Sequence, residues 1–242
     1  MRKVLYAAGL LAAVLWLLAA AAGLVWLSAG DGGLMAREML KHAPPEASGL
    51  PEAEYRGAAE MTAGYLTGRT AEFQYLLTGE DGVTYACFQP HEAAHMADCR
   101  ALILLAGRVC LLWLAALALI IVFLLTGRRV RTPEEKRRLG KGVLTGLGIV
   151  LSAVIVLGAW AIEDFDGFFT AFHRIAFTND GWLLNPRTDL LIRLMPTSFF
   201  VALGVRGALL FLPAPVLAAG AAAALIRAGN GMKRKEKTAD EL

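Results

Sequence analysis

Residues 142–162 read GVLTGLGIVLSAVIVLGAWAI, twenty-one positions without a charged side chain. About 20 helical residues cross the roughly 30 Å hydrocarbon core of a bilayer. One such run makes the chain a membrane protein, and three others match it. Val4–Leu27 is apolar throughout, Ala101–Thr126 is interrupted only by Arg108, and Leu203–Ile226 only by Arg206. The whole chain is 57% hydrophobic with mean hydropathy +0.52, more apolar than an ordinary soluble domain. The fold class expected is an α-helical integral membrane protein with four transmembrane helices. Met1-Arg2-Lys3 ahead of the first run resembles a signal peptide, but the run far exceeds the about 7–15 residues of a cleaved apolar region. An uncleaved anchor is expected.

The spans divide the chain into 1–29 (first helix), 30–100 (outer cap), 101–126 (second helix), 127–141 (basic loop), 142–162 (third helix), 163–202 (second outer segment), 203–226 (fourth helix) and 227–242 (tail). The basic loop carries Arg128, Arg129, Arg131, Lys136, Arg137, Arg138 and Lys141 against Glu134 and Glu135, and the tail adds Arg227, Lys233, Arg234, Lys235 and Lys237. Both fall on the side of Arg2 and Lys3, so the positive-inside rule puts both termini and the loop in the cytoplasm. The two outer segments are richer in Asp and Glu. The net charge of +3 averages this asymmetry and carries no sign of a nucleic-acid partner.

Within the cap, Gly30–Leu50 reads as a linker, with Gly32-Gly33 and Pro44-Pro45. Pro51–Leu66 reads as a helix with Tyr55, Ala58, Ala59, Thr62 and Leu66 on one face and Gly68 as its stop. Glu72–Leu77 and Val83–Phe88, around a turn through Gly79-Glu80-Asp81-Gly82, read as a β-hairpin. Gln89-Pro90 then opens a helix that runs into the second span. Phe165, Phe168, Phe169 and Phe172 form a helical aromatic stripe suited to an interfacial helix with that face in the acyl chains. A disulfide between Cys87 and Cys99 is open on this side of the membrane. Arg108 and Arg206 read as residues that snorkel to the outer headgroups.

His91-Glu92-Ala93-Ala94-His95 matches H-E-x-x-H, the zinc-protease signature of two imidazoles one turn apart with Glu as general base. A third ligand would have to come from His42, His173, Asp164, Asp166, Asp180 or Asp189. The alternative leaves His91 solvated and without a role. His95 stands about 9 Å above the apolar run by helical rise, at headgroup depth. Asp98 follows one turn later, placed to accept a hydrogen bond from its ring. That pair is either the general-base half of a nucleophilic mechanism or an interfacial pair that caps the span. Ser28, Ser48, Ser152 and Ser198 all lie outside a G-x-S-x-G context, which leaves serine-elbow catalysis without support.

FFTAFHRIAFTNDGWLLNPRTDLLIRLMPTSFF at residues 168–200, HMADC at 95–99 and YLTG at 65–68 together resemble the bacterial lipoprotein intramolecular transacylase family. The specific elements are F-H-x-x-x-F-T-N-D-x-W from Phe172 to Trp182 and N-P-x-x-D ending at Asp189. Cys99 departs from the family's H-M-x-D-V. The resemblance implies an acyltransferase that needs no cofactor or metal. It would move the sn-2 acyl chain of a diacylglyceryl-cysteine lipoprotein onto the α-amino group of the same cysteine, leaving the N-acyl lyso form. Its implied catalytic residues are His95 and His173, supported by Asp98, Asn179 and Asp189, with Tyr65, Phe172 and Trp182 toward the substrate. Asn179 and Trp182 also read as a structural turn and an aromatic-belt residue. The competing readings are a zinc metalloprotease using residues 91–95 and a non-enzymatic membrane accessory protein.

Overall fold

The computed structural model describes residues 2–79, 82–126, 130 and 132–240, with only the backbone described for residues 2 and 231–240. The expected turn at Glu80-Asp81, the loop arginines Arg128, Arg129 and Arg131, and the side chains of Lys233, Arg234, Lys235 and Lys237 lie outside the described residues. Among the described residues, four helices are long and apolar enough to cross a membrane: Lys3–Gly30, Pro90–Thr126, Pro133–Glu163 and Thr197–Asn230. In element terms they are α1 (Arg2–Gly30), α5 (Pro90–Thr126), α6 (Pro133–Glu163) and the pair α9 (Thr197–Phe211) and α10 (Pro213–Asp240). The fourth span is therefore interrupted, which its apolar composition did not suggest. Pro213 and Pro215 each lack the N–H that would continue the ladder, so α9 stops at Phe211. The Trp16 indole donates to the Ala214 carbonyl at 2.9 Å, just after the break.

The chain resolves into two compact units. The first comprises Met1–Ala22, Val109–Ala159 and Leu210–Leu242. Apolar side chains gain nothing from leaving lipid, so helices in such a unit associate through close backbone approach at small residues. Gly142 and Gly146, spaced as small-x-x-x-small, lie against the Tyr6 and Leu10 backbone of α1, and Gly9 lies against Leu139. The Tyr6 hydroxyl donates to Thr145 Oγ1 at 2.8 Å across the same contact. Gly140 gives α10 similar access through Ala222 and Ile226. Leu17, Leu147, Val150 and Ala214 fill the core.

The second unit comprises Gly23–Arg108 and Trp160–Leu209, so residues 30–100 and 163–202 share one body. Residues 30–50 are not a linker. They hold α2 (Gly32–His42) and α3 (Pro45–Ser48). Asp31 caps α2 by accepting the Leu34 N–H at 2.9 Å, and Leu34, Met35 and Met39 are its buried face. The two glycines lower helix propensity, but docking decides: Gly32 sits against Glu60 of α4 (Tyr55–Leu66), where a Cβ would have no room. Tyr55 is buried at the start of α4 and donates its hydroxyl to the Ala43 carbonyl, tying the α2–α3 turn down. Gly68 ends this stretch at φ 80, as its type allows.

The hairpin is present but short, β1 (Leu76–Thr78) paired antiparallel with β2 (Thr84–Ala86). Phe73 and Phe88, expected within its strands, turn into the core with ring centroids 4.7 Å apart. The helix with the aromatic stripe is α7 (Phe165–Ala176), capped by Asp164. In the stripe, Phe169 packs on Phe200 at 4.9 Å and Phe168 edge-on to Trp160 at 5.5 Å, while Phe172 is exposed. The short α8 (Leu190–Leu194) buries Leu190, Leu191 and Leu194 in the same core. Cys87 and Cys99 are free thiols, and Arg108 and Arg206 are exposed.

The glycine contacts make a matched test. Gly142→Val drives a branched side chain into the α1 backbone and lowers the melting temperature in detergent micelles by several degrees. Gly148→Val, on a face with no neighbour within 4 Å, leaves it unchanged.

Candidate active site

His95 and His173 come together although most of the second outer segment's motif lies far along the chain from α5. Their ring centroids are 6.0 Å apart. The two side chains are 8% and 6% exposed. Three side-chain ties join the first turns of α5 to residues 163–202.

The first tie is Glu92, which is fully buried. Its Oε2 accepts the Gln89 N–H at 2.6 Å, and its Oε1 accepts the Leu191 N–H of α8 at 2.6 Å. The first of these bonds is one half of a capping box, with Glu at the third helical position reaching back to the residue before Pro90. That local pattern was readable in the sequence, whereas the second bond joins residues too far apart to pair on paper. The second tie is His91 Nε2 to Asp189 Oδ2 at 3.0 Å. His91 is solvated, as expected, but it is partnered. Asp189 also accepts from the Asn185 N–H at 2.8 Å and the Thr188 hydroxyl at 2.7 Å. Burial would raise the Asp189 pKa, but the bonds from Thr188, His91 and Asn185 outweigh it and bring the group down to about 2. The third tie runs from Asn179 Nδ2 to Asp98 Oδ2 at 2.9 Å.

This third bond corrects the expected His95–Asp98 pair. Asp98 gives its oxygen to Asn179, and the His95 ring instead faces the Cys99 thiol, with Nε2 3.5 Å from Sγ. The geometry also divides the HEAAH motif. His91 turns to Asp189, Glu92 has each oxygen on a backbone N–H, and His95 turns to His173. Glu92 is a structural clamp rather than a base poised over a metal. Among the described residues, no three His, Cys, Asp or Glu side chains converge as a metal site. His42 pairs within α2, its Nε2 3.5 Å from Glu38.

His173 sits in an aromatic shell: Phe169 at 4.2 Å, Trp182 at 5.0 Å, and Phe172 and Phe177 at 5.4 Å. Its Nδ1 lies 2.7 Å from the Phe169 carbonyl, an acceptor only, so Nδ1 carries the proton and donates. Nε2 is left with a free lone pair. Burial pulls the His173 pKa below its ordinary 6.5, and the Phe169 bond offsets only part of that. Two imidazolium charges this close would also repel, so the pair favours at most one charge. Phe177 lies edge-on to His95 at 5.2 Å as well, and sequence reasoning had assigned neither it nor Phe169 a place in the site. Tyr65 lies elsewhere: its ring meets Phe73 at 5.4 Å and the Arg100 guanidinium at 4.6 Å, which makes it a core residue of the cap.

A sequence model of the family described as lipoprotein intramolecular transacylase Lit matches residues 9–200. No curated protein matches the chain. Among solved structures, the membrane integral lipoprotein intramolecular transacylase Lit from Bacillus cereus superposes with a TM-score of 0.71 at 18% identity, over 97% of this chain and 98% of that one. The same Bacillus cereus protein with a histidine-to-alanine mutation superposes with a TM-score of 0.68 at 16% identity, covering 94% of each. At such identities the structures share the fold, while the family model spans most of the chain.

The Glu92 clamp predicts a stability effect separable from chemistry. Glu92→Gln turns one buried acceptor into an NH2 donor facing a backbone N–H, at a cost of about 1–3 kcal/mol. Amide exchange at Leu191 should rise in that variant. His91→Ala, which removes an exposed partner, should leave that exchange within about threefold of wild type.

Proposed function

The chain belongs to the lipoprotein intramolecular transacylase family and is a membrane acyltransferase, and from that premise we propose a reaction, a substrate and a division of labour between His95 and His173. The substrate is a lipoprotein whose N-terminal cysteine carries a diacylglyceryl thioether. The product is the N-acyl lyso form, with the sn-2 acyl chain moved to that cysteine's own α-amino group. The observation that carries this reading is the pair of buried imidazoles 6.0 Å apart, one with its tautomer fixed by a backbone carbonyl.

Amine and ester belong to one molecule, so proximity takes the place of an acyl-enzyme. The amine nitrogen attacks the ester carbonyl carbon, and a C–N bond forms as the carbonyl oxygen takes negative charge. His173 Nε2 is the base that accepts the amine proton. When the acyl C–O bond breaks, the same imidazolium returns the proton to the glycerol oxygen, so no proton is gained or lost overall. His95 directs a ring N–H at the tetrahedral oxyanion. A substrate α-amine with a pKa of about 7.7–8.0 is partly neutral at physiological pH, within reach of a neutral imidazole. Phe172 and Trp182 line the acyl side, and Asp189 and Glu92 hold the segment that carries them. The charge asymmetry of the loops supports a site at the outer face, with both termini cytoplasmic and the spans bounded as the apolar runs indicate. Membrane lipid surrounds the spans, and the substrate is held in the same leaflet by its own acyl chains.

The test uses cells lacking any other N-acylating enzyme and reads one lipoprotein's N-terminal peptide by mass spectrometry. Wild type and His91→Ala should yield the N-acyl lyso form, and His95→Ala and His173→Ala should not. Wild-type cells that retain only the diacylglyceryl form would sink the reading. A pH series on purified protein adds an independent outcome. A base works only when neutral, so of the two acid limbs expected in kcat/KM the one at about 7.7–8.0 belongs to the substrate amine, and the one from His173, whose pKa burial lowers, lies below 6.5.

A further inference from the structure

As found, the site is closed. His95 and His173 are 8% and 6% exposed, and rings of Phe169, Phe172, Phe177 and Trp182 surround the second of them. So little exposure leaves an ester and an amine little room beside the His173 ring unless part of this wall moves. The elements of the wall are not equally held. Phe169 belongs to α7 and packs on Phe200. The α8 end is held by Glu92, through a bond to backbone that water does not reach. Between them runs the loop from Phe177 to Leu184, with Phe177 against both imidazoles at one end and Trp182 against His173 near the other.

This loop is stiff within itself. Gly181 N–H donates to Asn179 Oδ1 at 2.9 Å, Leu183 N–H to the Asp180 carbonyl at 3.0 Å, and Leu184 N–H to the Trp182 carbonyl at 3.0 Å. Its attachment to α5 is different. Among the described residues, beside the edge-on Phe177–His95 contact, the Asn179–Asp98 hydrogen bond joins residues 177–184 to that helix, and it is solvent-exposed. A bond that water can replace contributes only about 1 kcal/mol net, so thermal motion breaks it readily. The two buried-end anchors do not share that weakness.

We propose that Asp98 and Asn179 are positioning residues: their hydrogen bond latches the Phe177–Leu184 loop over the two imidazoles, and its release admits the diacylglyceryl ester. The proposal rests on the transacylase reading for what is admitted, but the latch is a property of the loop alone. Asn179 is suited to the part because its two ends do different work. Oδ1 shapes the loop's own turn, and Nδ2 reaches across to α5. Closed, the loop puts Trp182 against the imidazole that takes the proton and excludes water. Open, it exposes Nε2.

The chemistry of the pair gives a clean test. Asn179→Asp keeps the acceptor for Gly181 N–H but sets a carboxylate against the Asp98 carboxylate. The exchanged pair Asp98→Asn with Asn179→Asp restores a donor and an acceptor in reversed order. Purified proteins in detergent micelles would be assayed with a diacylglyceryl lipopeptide and, separately, by hydrogen exchange. Asn179→Asp should lower kcat about tenfold with KM within about twofold, and raise amide exchange over residues 180–184 but not over α8. The exchanged pair should recover kcat to within about threefold and return the loop to wild-type exchange. Wild-type kcat and exchange in Asn179→Asp would overturn the latch, as would an exchanged pair as slow as the single variant. If wild type forms no N-acyl product, the transacylase reading fails, and the exchange measurements still decide the latch.

Discussion

One buried carboxyl group joins the two segments that carry the site. Glu92 opens α5, and each of its oxygens takes a backbone N–H, one from its own helix start and one from α8. A buried polar group without partners is costly, and two short bonds to N–H groups with no other acceptor meet that cost on both sides. The consequence is positional. With α8 bonded to the first turn of α5, the same helix start also meets the buried Asp189 through His91, and His95 lies beside His173.

The same pentapeptide could have served a different chemistry. Two imidazoles one turn apart with an intervening Glu suit a zinc hydrolase only if the imidazoles converge and the Glu is free to act. Here the three side chains point to three different partners. Burial among aromatic rings lowers the His173 pKa below its ordinary value, and a backbone carbonyl selects which nitrogen holds the proton. Such an arrangement suits a reaction in which nucleophile and leaving group already belong to one molecule.

Each of the two compact units is built by the rules of its own chemistry. In the unit around Gly142 and Gly146, helices meet at glycines because lipid offers no hydrophobic drive to association. In the unit that carries the site, association follows ordinary burial, with Tyr55, Phe73, Phe88, Leu191, Leu194 and Phe199 forming one core. Tyr65 belongs to that core. Its family motif is thus satisfied by packing on Phe73 and Arg100.

What could be read from residues alone was what depends on neighbours in the chain. The four spans follow from the length of apolar runs, α4 from its spacing, the hairpin from its turn and flanking strands, and the start of α5 from Pro90. The family strings at 95–99 and 168–200 each implied one histidine of the candidate site, though not how the two meet. The misreadings share a cause. Glycines and prolines in residues 30–50 argued for a linker, and only docking on α4 makes α2 a helix. Asp98 is one turn from His95, yet it bonds to Asn179, which the sequence places 81 residues away. The bond from Leu191 to Glu92 spans 99 residues. Periodicity and propensity act over a few residues, so a sequence carries them openly. Which side chain a buried carboxyl or imidazole meets depends on how distant segments pack, and for Glu92, Asp98 and His173 that choice belongs to the tertiary structure.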